Sequence, residues 1–231
     1  MNIKRIFTIL AIIIIPASGL YAQLIQNLSV GPTLGFKFGT NYNIQMEGRT
    51  DEMKIAKMPE LGVSVYSDLT EDGNLGVGID LLYNSYSNRI VINETKENFD
   101  FNYSYLTISP KVIFHNFTLG FTFGYPLSAN FGNDISTDNI RFLTEFNLGY
   151  SYPVLVDDFS RFNIYIKTGL MLSSVFYDFP NNDPLLNISP AQAPEIHTEK
   201  YNPRLFSISI GLNYQFNIYS PSIEESNPIS Q

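Results

Sequence analysis

Residues 117–131 read Phe117-Thr118-Leu119-Gly120-Phe121-Thr122-Phe123-Gly124-Tyr125-Pro126-Leu127-Ser128-Ala129-Asn130-Phe131. Every odd position is apolar. The even positions hold only threonine, glycine, proline, serine and asparagine. A period of two is the signature of a β-strand with one apolar face. This run is long for a soluble strand, which is usually about 5–6 residues. It is long enough for a tilted strand that crosses a membrane, which needs about 9–11.

The same alternation recurs on both sides of it. Leu28, Val30, Pro32, Leu34, Phe36 and Phe38 share a face, as do Leu61, Val63 and Val65. Leu75, Val77, Ile79, Leu81 and Tyr83 follow, then Leu106, Ile108, Pro110, Val112 and Phe114. Three further segments, 140–154, 162–177 and 205–218, place Phe142, Phe146 and Leu148, then Ile164, Ile166 and Leu170, then Ile208, Ile210 and Leu212 on even positions. The links alternate as well. Stretches 40–58, 88–100, 132–139 and 178–202 are the longer ones, whereas 70–74, His115-Asn116 and 155–161 are short. Asn116 suits the positive φ that a two-residue hairpin turn requires, and the turn pairs Phe114 with Phe117 and Val112 with Leu119. Eight segments with long and short links in alternation predict an all-β, eight-stranded antiparallel up-and-down transmembrane β-barrel. Both chain ends then lie on the short-turn, periplasmic side.

The non-apolar face decides which side is wet. A soluble barrel hides its apolar face and needs a charged exterior. Here the other face is mostly Gly, Ser, Thr and Asn, which suits a narrow packed lumen and leaves the apolar face to lipid. Composition agrees: 44% of residues are hydrophobic and only 16% charged, against roughly 25% charged in ordinary globular chains. The absence of cysteine excludes disulfides, thiolate metal sites, a cysteine nucleophile and an acylated N-terminal cysteine. A net charge of −8 argues against nucleic acid as a partner.

The first residues read as a secretory signal peptide over 1–22. Lys4 and Arg5 precede an apolar run at Ile6–Ile15, then Pro16 and the small residues Ala17, Ser18 and Gly19. Cleavage after Ala22 leaves Gln23 first; cleavage after Gly19 is the alternative. The barrel is expected over 23–218, and 219–231, with its prolines and Glu224-Glu225, as a disordered periplasmic tail.

Few charges fall on the lumen face: Lys37, Glu60, Asp68, Asp80, Lys111, Arg141, Glu145 and Lys167. Four are basic and four acidic, so the interior neutralises itself. Lys37 with Glu60 and Asp80 with Lys111 lie at matching depth on neighbouring strands, while Glu145 and Lys167 are about three residues out of register. Buried charges persist in pairs, and an eight-stranded barrel is only wide enough to be filled by side chains. A salt-bridge plug is therefore expected, with a narrow solute path as the alternative.

The last segment carries Ser209, Gly211, Tyr214 and Phe216 at the spacing polar, x, Gly, x, x, aromatic, x, aromatic. This resembles the signal by which the barrel-assembly machinery reads a final strand, although the chain runs on past Phe216. Taken together, the Gln23 start, Gly31-Pro32-x-x-Gly35, the Tyr105-Leu106 pair and Ile210-Gly211-Leu212-Asn213-Tyr214 resemble the PorT-like outer-membrane β-barrel family of Bacteroidota. The resemblance spans the mature chain. It implies a multi-pass outer-membrane protein in contact with membrane lipid, and an accessory role in a type IX protein secretion system.

No cofactor is expected, and no catalytic or metal residue stands out. A lipid A acyl-modifying barrel enzyme needs a histidine with a serine and a carboxylate. His197 has Ser189, Glu195 and Glu199 near it in sequence, and His115 sits in a hairpin turn, without a nucleophile–base arrangement for either. Asp134 and Asp138 are two carboxylates where calcium wants six to eight oxygens. The outer loops, with Met46, Met53, Ile55, Met58, Ile90, Val91, Ile92, Leu185 and Leu186, are the expected surface for protein partners.

Overall fold

The computed structural model describes residues 27–42, 49–70, 72–93, 95–131, 133–157, 159–177 and 203–219. The expected signal peptide and all of the expected tail but Tyr219 lie outside the described residues, as do His197, Ser189, Glu195 and Glu199. Among the described residues there are ten strands: β1 (Asn27–Asn41), β2 (Arg49–Ile55), β3 (Glu60–Asp68), β4 (Leu75–Ile92), β5 (Asn98–Phe114), β6 (Phe117–Phe131), β7 (Asn133–Ile135), β8 (Leu143–Val156), β9 (Ser160–Met171) and β10 (Leu205–Tyr219).

They occupy eight positions in one closed antiparallel ring. β1 pairs with β10 through Leu34↔Leu212, so the ring has no edge. β2 and β3 share a single position. Both pair with β1 on one side and β4 on the other, β3 low and β2 high, with 56–59 between them. β7 is a short addition to β6. The expected pairings Phe114↔Phe117 and Val112↔Leu119 are present. The left-handed residue of that turn is His115, at φ 56, rather than Asn116.

Three stretches expected as links are structured. Residues 49–55, inside the expected long link 40–58, form β2. β4 runs on to Ile92 and β5 begins at Asn98, so the expected link 88–100 shrinks to a turn. The link 132–139 holds β7 and a 3₁₀ turn at Thr137–Asn139. Each of these additions lies at the long-loop end.

The exterior is apolar. Val77, Ile79, Leu81, Leu106, Val112, Leu119, Leu148, Ile164, Ile210 and Leu212 all stand exposed on the outer face. Large aromatic side chains end this band on the short-turn side, where Phe117 and Tyr150 meet edge to face at 5.1 Å and Tyr214 and Phe216 at 4.8 Å. From Leu106 to Phe114 the band spans about nine residues, roughly 25 Å once strand tilt is allowed for. The buried set is polar instead: Ser29, Thr33, Lys37, Glu60, Ser64, Asp80, Asn84, Thr107, Thr122, Glu145, Asn147, Asn163, Ser209 and Asn213. This distribution is the inverse of a soluble barrel.

It reverses near the long-loop end. Above Tyr83 on β4 and Leu106 on β5 the inside becomes apolar. Tyr86, Ile90, Phe101, Tyr103, Tyr105, Ala129, Ile140, Leu143, Met171, Val175, Phe176 and Leu205 form one buried cluster. The outside becomes polar at the same height. Arg89 Nε donates to Asp100 Oδ1 at 2.7 Å, Lys54 also pairs with Asp100, and Ser87 Oγ donates to Asn102 at 2.7 Å. Tyr83 OH, bonded to Ser104 Oγ at 2.7 Å, marks the boundary.

Candidate functional site

Inward-facing positions of β1, β3, β4, β5, β8 and β9 bring charges together at mid-height. Glu60 at the start of β3 is the hub. Its Oε1 takes Lys37 Nζ at 3.1 Å and Lys167 Nζ at 3.3 Å, and its Oε2 accepts from Tyr165 OH at 3.3 Å. Lys37 and Glu60 are fully buried, and the Lys37 ammonium also lies 3.7 Å from the centre of the Tyr86 ring. One step lower, Lys111 Nζ donates to Asp80 Oδ1 at 2.6 Å, while Ser64 Oγ donates to the same oxygen at 2.6 Å.

Lys167 therefore joins Glu60 rather than Glu145. The cause is a four-residue offset across β8 and β9, one more than expected: Lys167 pairs with Gly149, and Glu145 with Met171. Glu145 is fully buried. With its amide nitrogen turned toward Glu145, Asn147 donates to Oε1 at 2.6 Å and accepts from Thr122 at 2.8 Å. Glu145 Oε2 has no hydrogen-bond partner among the described residues. Arg141 stands apart from this network. It precedes β8 at the apolar end, with its guanidinium 5.5 Å from the Tyr177 ring and no carboxylate within 4.0 Å among the described residues.

A second arginine enters the lumen. Arg161, the second residue of β9, reaches Asp68 Oδ2 at 4.0 Å and lies 5.3 Å from the Tyr66 ring; Tyr66 OH in turn bonds Asp68. Its position at the margin of a short link concealed it in the sequence. The inward parity of Asp68, which needs a cation, was the available signal.

In the final strand, Ser209 and Gly211 face inward, whereas Tyr214 and Phe216 face outward. A Cβ on Gly211 or on its partner Gly35 would collide with the Tyr165 side chain. The two glycines thus form the seat that lets Tyr165 reach Glu60, a packing role that stands beside the assembly-signal reading.

Below the charge layer lies a cavity of about 350 Å³. Its inner end is lined by Leu82, Asp80, Lys111 and Lys167, and its outer end by Asp72–Asn74, His115, Asn116, Val156 and Arg161. The outer lining includes two of the three short turns, so the cavity meets the outside at that end. At the other end the apolar cluster closes the barrel. The third short turn is built on Asp157, whose carboxylate accepts from the Phe159 and Ser160 backbone N–H groups at 2.8 and 2.7 Å. Those bonds hold its pKa below the usual carboxylate range. Asp134, bonded by Asn130 at 2.9 Å, and Asp138 are exposed. No group of three metal-ligating side chains occurs among the described residues.

No family model and no curated protein matches the chain. Among solved structures, Ail, the attachment invasion locus protein of Yersinia pestis, is 14% identical, covers 83% of this chain and 100% of its own, with a TM-score of 0.36. The outer-membrane protein OprG from Pseudomonas aeruginosa is 7% identical, with 85% and 98% coverage and a TM-score of 0.36. The outer-membrane protein AlkL, solved by solid-state NMR in lipid bilayers, is 8% identical, with 86% and 92% coverage and a TM-score of 0.35. The closed ring described above stands on its own strand pairing.

Proposed function

We propose that this chain is an integral outer-membrane β-barrel whose work is structural or lies in holding protein partners. The single observation that carries the reading is a closed ring with an apolar exterior band about as tall as a bilayer core. Only helices and closed barrels satisfy their backbone inside lipid. The orientation puts the short turns and both ends of the barrel on the periplasmic side. Its biogenesis then runs through the barrel-assembly machinery, for which Ser209, Gly211, Tyr214 and Phe216 are the candidate signal. The finer role, an accessory of a type IX protein secretion system, is supported by the resemblance of the sequence to the PorT-like family of Bacteroidota.

A solute channel has less support. The charge layer fills mid-lumen, and the apolar cluster from Tyr86 to Leu205 lies across the long-loop end. The enzyme reading has no assembled acid–base pair behind it among the described residues. Heat-modifiability on gels of outer-membrane fractions tests the membrane reading: unheated protein should migrate faster than boiled protein. A soluble periplasmic location with no mobility shift would overturn it. Crosslinking and pull-down from intact cells tests the accessory role, with secretion-complex subunits as the expected catch and unaltered secretion on deletion as the contrary result.

A further inference from the structure

We infer that the third short turn and the end of β10 form a foot seated in the headgroup layer of zwitterionic phospholipid on the short-turn side, an inference that rests on the membrane reading proposed above. In that orientation the layer belongs to the periplasmic leaflet.

The three short turns differ in chemistry. Asp72, Gly73 and Asn74 stand at the first, and His115 with Asn116 makes the second. The third joins β8 to β9 and is apolar. Tyr152, Val154, Leu155 and Phe159 are all exposed there, and Phe159, at 79%, is the most exposed large hydrophobic side chain among the described residues. A bulge between Pro153 and Leu155 shifts the pairing with β9, so that Leu155 meets Phe162. Such a bulge sets Val154 and Leu155 side by side on the outer face. β10 ends against this turn: the Asn217 N–H donates to the Phe159 carbonyl at 2.8 Å, and Ile218 follows, exposed.

The patch continues the apolar exterior band. On β8 the outward row runs Leu148, Tyr150, Tyr152 and Val154, and on β10 Leu212, Tyr214, Phe216 and Ile218, with no charged residue in either. β8 also runs past the end of β6, which begins at Phe117 opposite Tyr150. The last link between them is the Ser151 N–H on the Asn116 carbonyl. Beyond Ser151 that edge of β8 has no partner strand among the described residues.

Two demands therefore meet at one place. The exposed side chains call for an apolar surrounding. The open edge calls for water, because unpaired backbone groups are not tolerated in hydrocarbon. The boundary between acyl chains and water supplies both. A protein strand fits this edge less well. Pro153 has the parity of Ser151, whose N–H points toward β6, so the edge lacks a donor where an added strand would need one. Residues 151–159 carry Asp157 and Asp158 and no basic residue, so the turn gains nothing from anionic lipid.

The absence of native cysteine allows one reporter per variant. Leu155→Cys, Phe159→Cys and Ile218→Cys mark the foot. Leu148→Cys at mid-band and Asn98→Cys near the far tip of β5 are references. Each full-length chain is labelled with bimane and refolded into phosphatidylcholine vesicles, and the heat-shift confirms the barrel. Nitroxide lipids quench from the headgroup or from deep in the acyl chain. The foot labels should lose roughly half of their emission to the headgroup nitroxide and little to the deep one. Leu148→Cys should show the reverse, and Asn98→Cys should respond to neither. Replacing about a third of the lipid with phosphatidylglycerol should leave the quenching of the foot unchanged. Foot labels that behave like Asn98→Cys, while Leu148→Cys stays quenched from the deep position, overturn the inference and leave the patch to a periplasmic protein. Foot labels quenched most by the deep nitroxide, or only in anionic vesicles, overturn it as well. Loss of the heat-shift with Leu148→Cys unquenched would instead indict the barrel reading.

Discussion

The lower and upper parts of β5 are built on opposite rules. From Leu106 to Phe114 the even residues Leu106, Ile108, Pro110, Val112 and Phe114 face out, while Thr107, Ser109 and Lys111 face in. From Asn98 to Tyr105 the odd residues Phe99, Phe101, Tyr103 and Tyr105 face in, while Asp100, Asn102 and Ser104 face out. The backbone does not change face; its pairing with β4 runs unbroken from Leu75↔Phe114 to Val91↔Asn98. Only the chemistry of the two faces is exchanged. The lower part is organised for a surrounding without water, with its polar groups turned inward. The upper part is organised as a small soluble protein, with an aromatic core and a charged exterior. On the membrane reading proposed above, the exchange between Tyr105 and Leu106 is the upper edge of the lipid-facing band.

This contrast can be broken at either level. The largest effect belongs to the charge layer. Glu60→Gln leaves Lys37 and Lys167 facing each other in a dry interior, and should cost about 3–5 kcal/mol in reversible urea unfolding from vesicles. Replacing Lys37 and Glu60 together by Met and Leu should cost far less, because apolar groups of similar volume substitute well for a buried pair. In the upper part, Phe101→Ala opens a cavity in the aromatic cluster and should cost about 3–5 kcal/mol in the same assay. On the exterior the two parts should diverge: Ile79→Arg, mid-band, costs about 2–4 kcal/mol. Asn102→Arg, on the upper exterior, costs about 0.5–1.5 kcal/mol, the loss of its hydrogen bond from Ser87.

The smallest effect is the Asp157 turn. The Phe159 and Ser160 N–H groups lower its folded pKa. Its contribution is therefore present above the ordinary carboxyl pKa and lost as pH falls through the lowered one. Asp157→Asn should lower the neutral plateau slightly and flatten that acid limb, so that the two stability curves converge at low pH.

The lower part was legible because a strand in lipid has a simple code. The alternation in Phe117–Phe131 and its counterparts located all eight ring positions. The upper part was misread as loops for a physical reason: Asn98-Phe99-Asp100-Phe101-Asn102-Tyr103 alternates too, but with its phase inverted. A search for apolar residues on the lipid-facing parity passes over it. Residues 49–55 carry too few apolar groups to register, since their outer face meets charge partners such as Asp100 rather than lipid. In the lumen, parity placed Lys37, Glu60, Asp80 and Lys111 in pairs. The choice of Lys167 between Glu60 and Glu145 depended on stagger across β8, β9, β10, β1 and β3, which strand-by-strand reading does not supply. Arg141 has inward parity but sits above the phase change, so the apolar cluster separates it from the other charges.

The inverted phase also offers the most direct measurement. Spin labels on single cysteines at Val112, Ile108, Leu106, Asn102 and Asp100, all outward on β5, report their exposure to oxygen and to a water-soluble nickel complex. In refolded vesicles the account predicts oxygen dominance at Val112, Ile108 and Leu106, and nickel dominance at Asn102 and Asp100, with the crossover between Leu106 and Asn102. Nickel dominance at all five positions would contradict it.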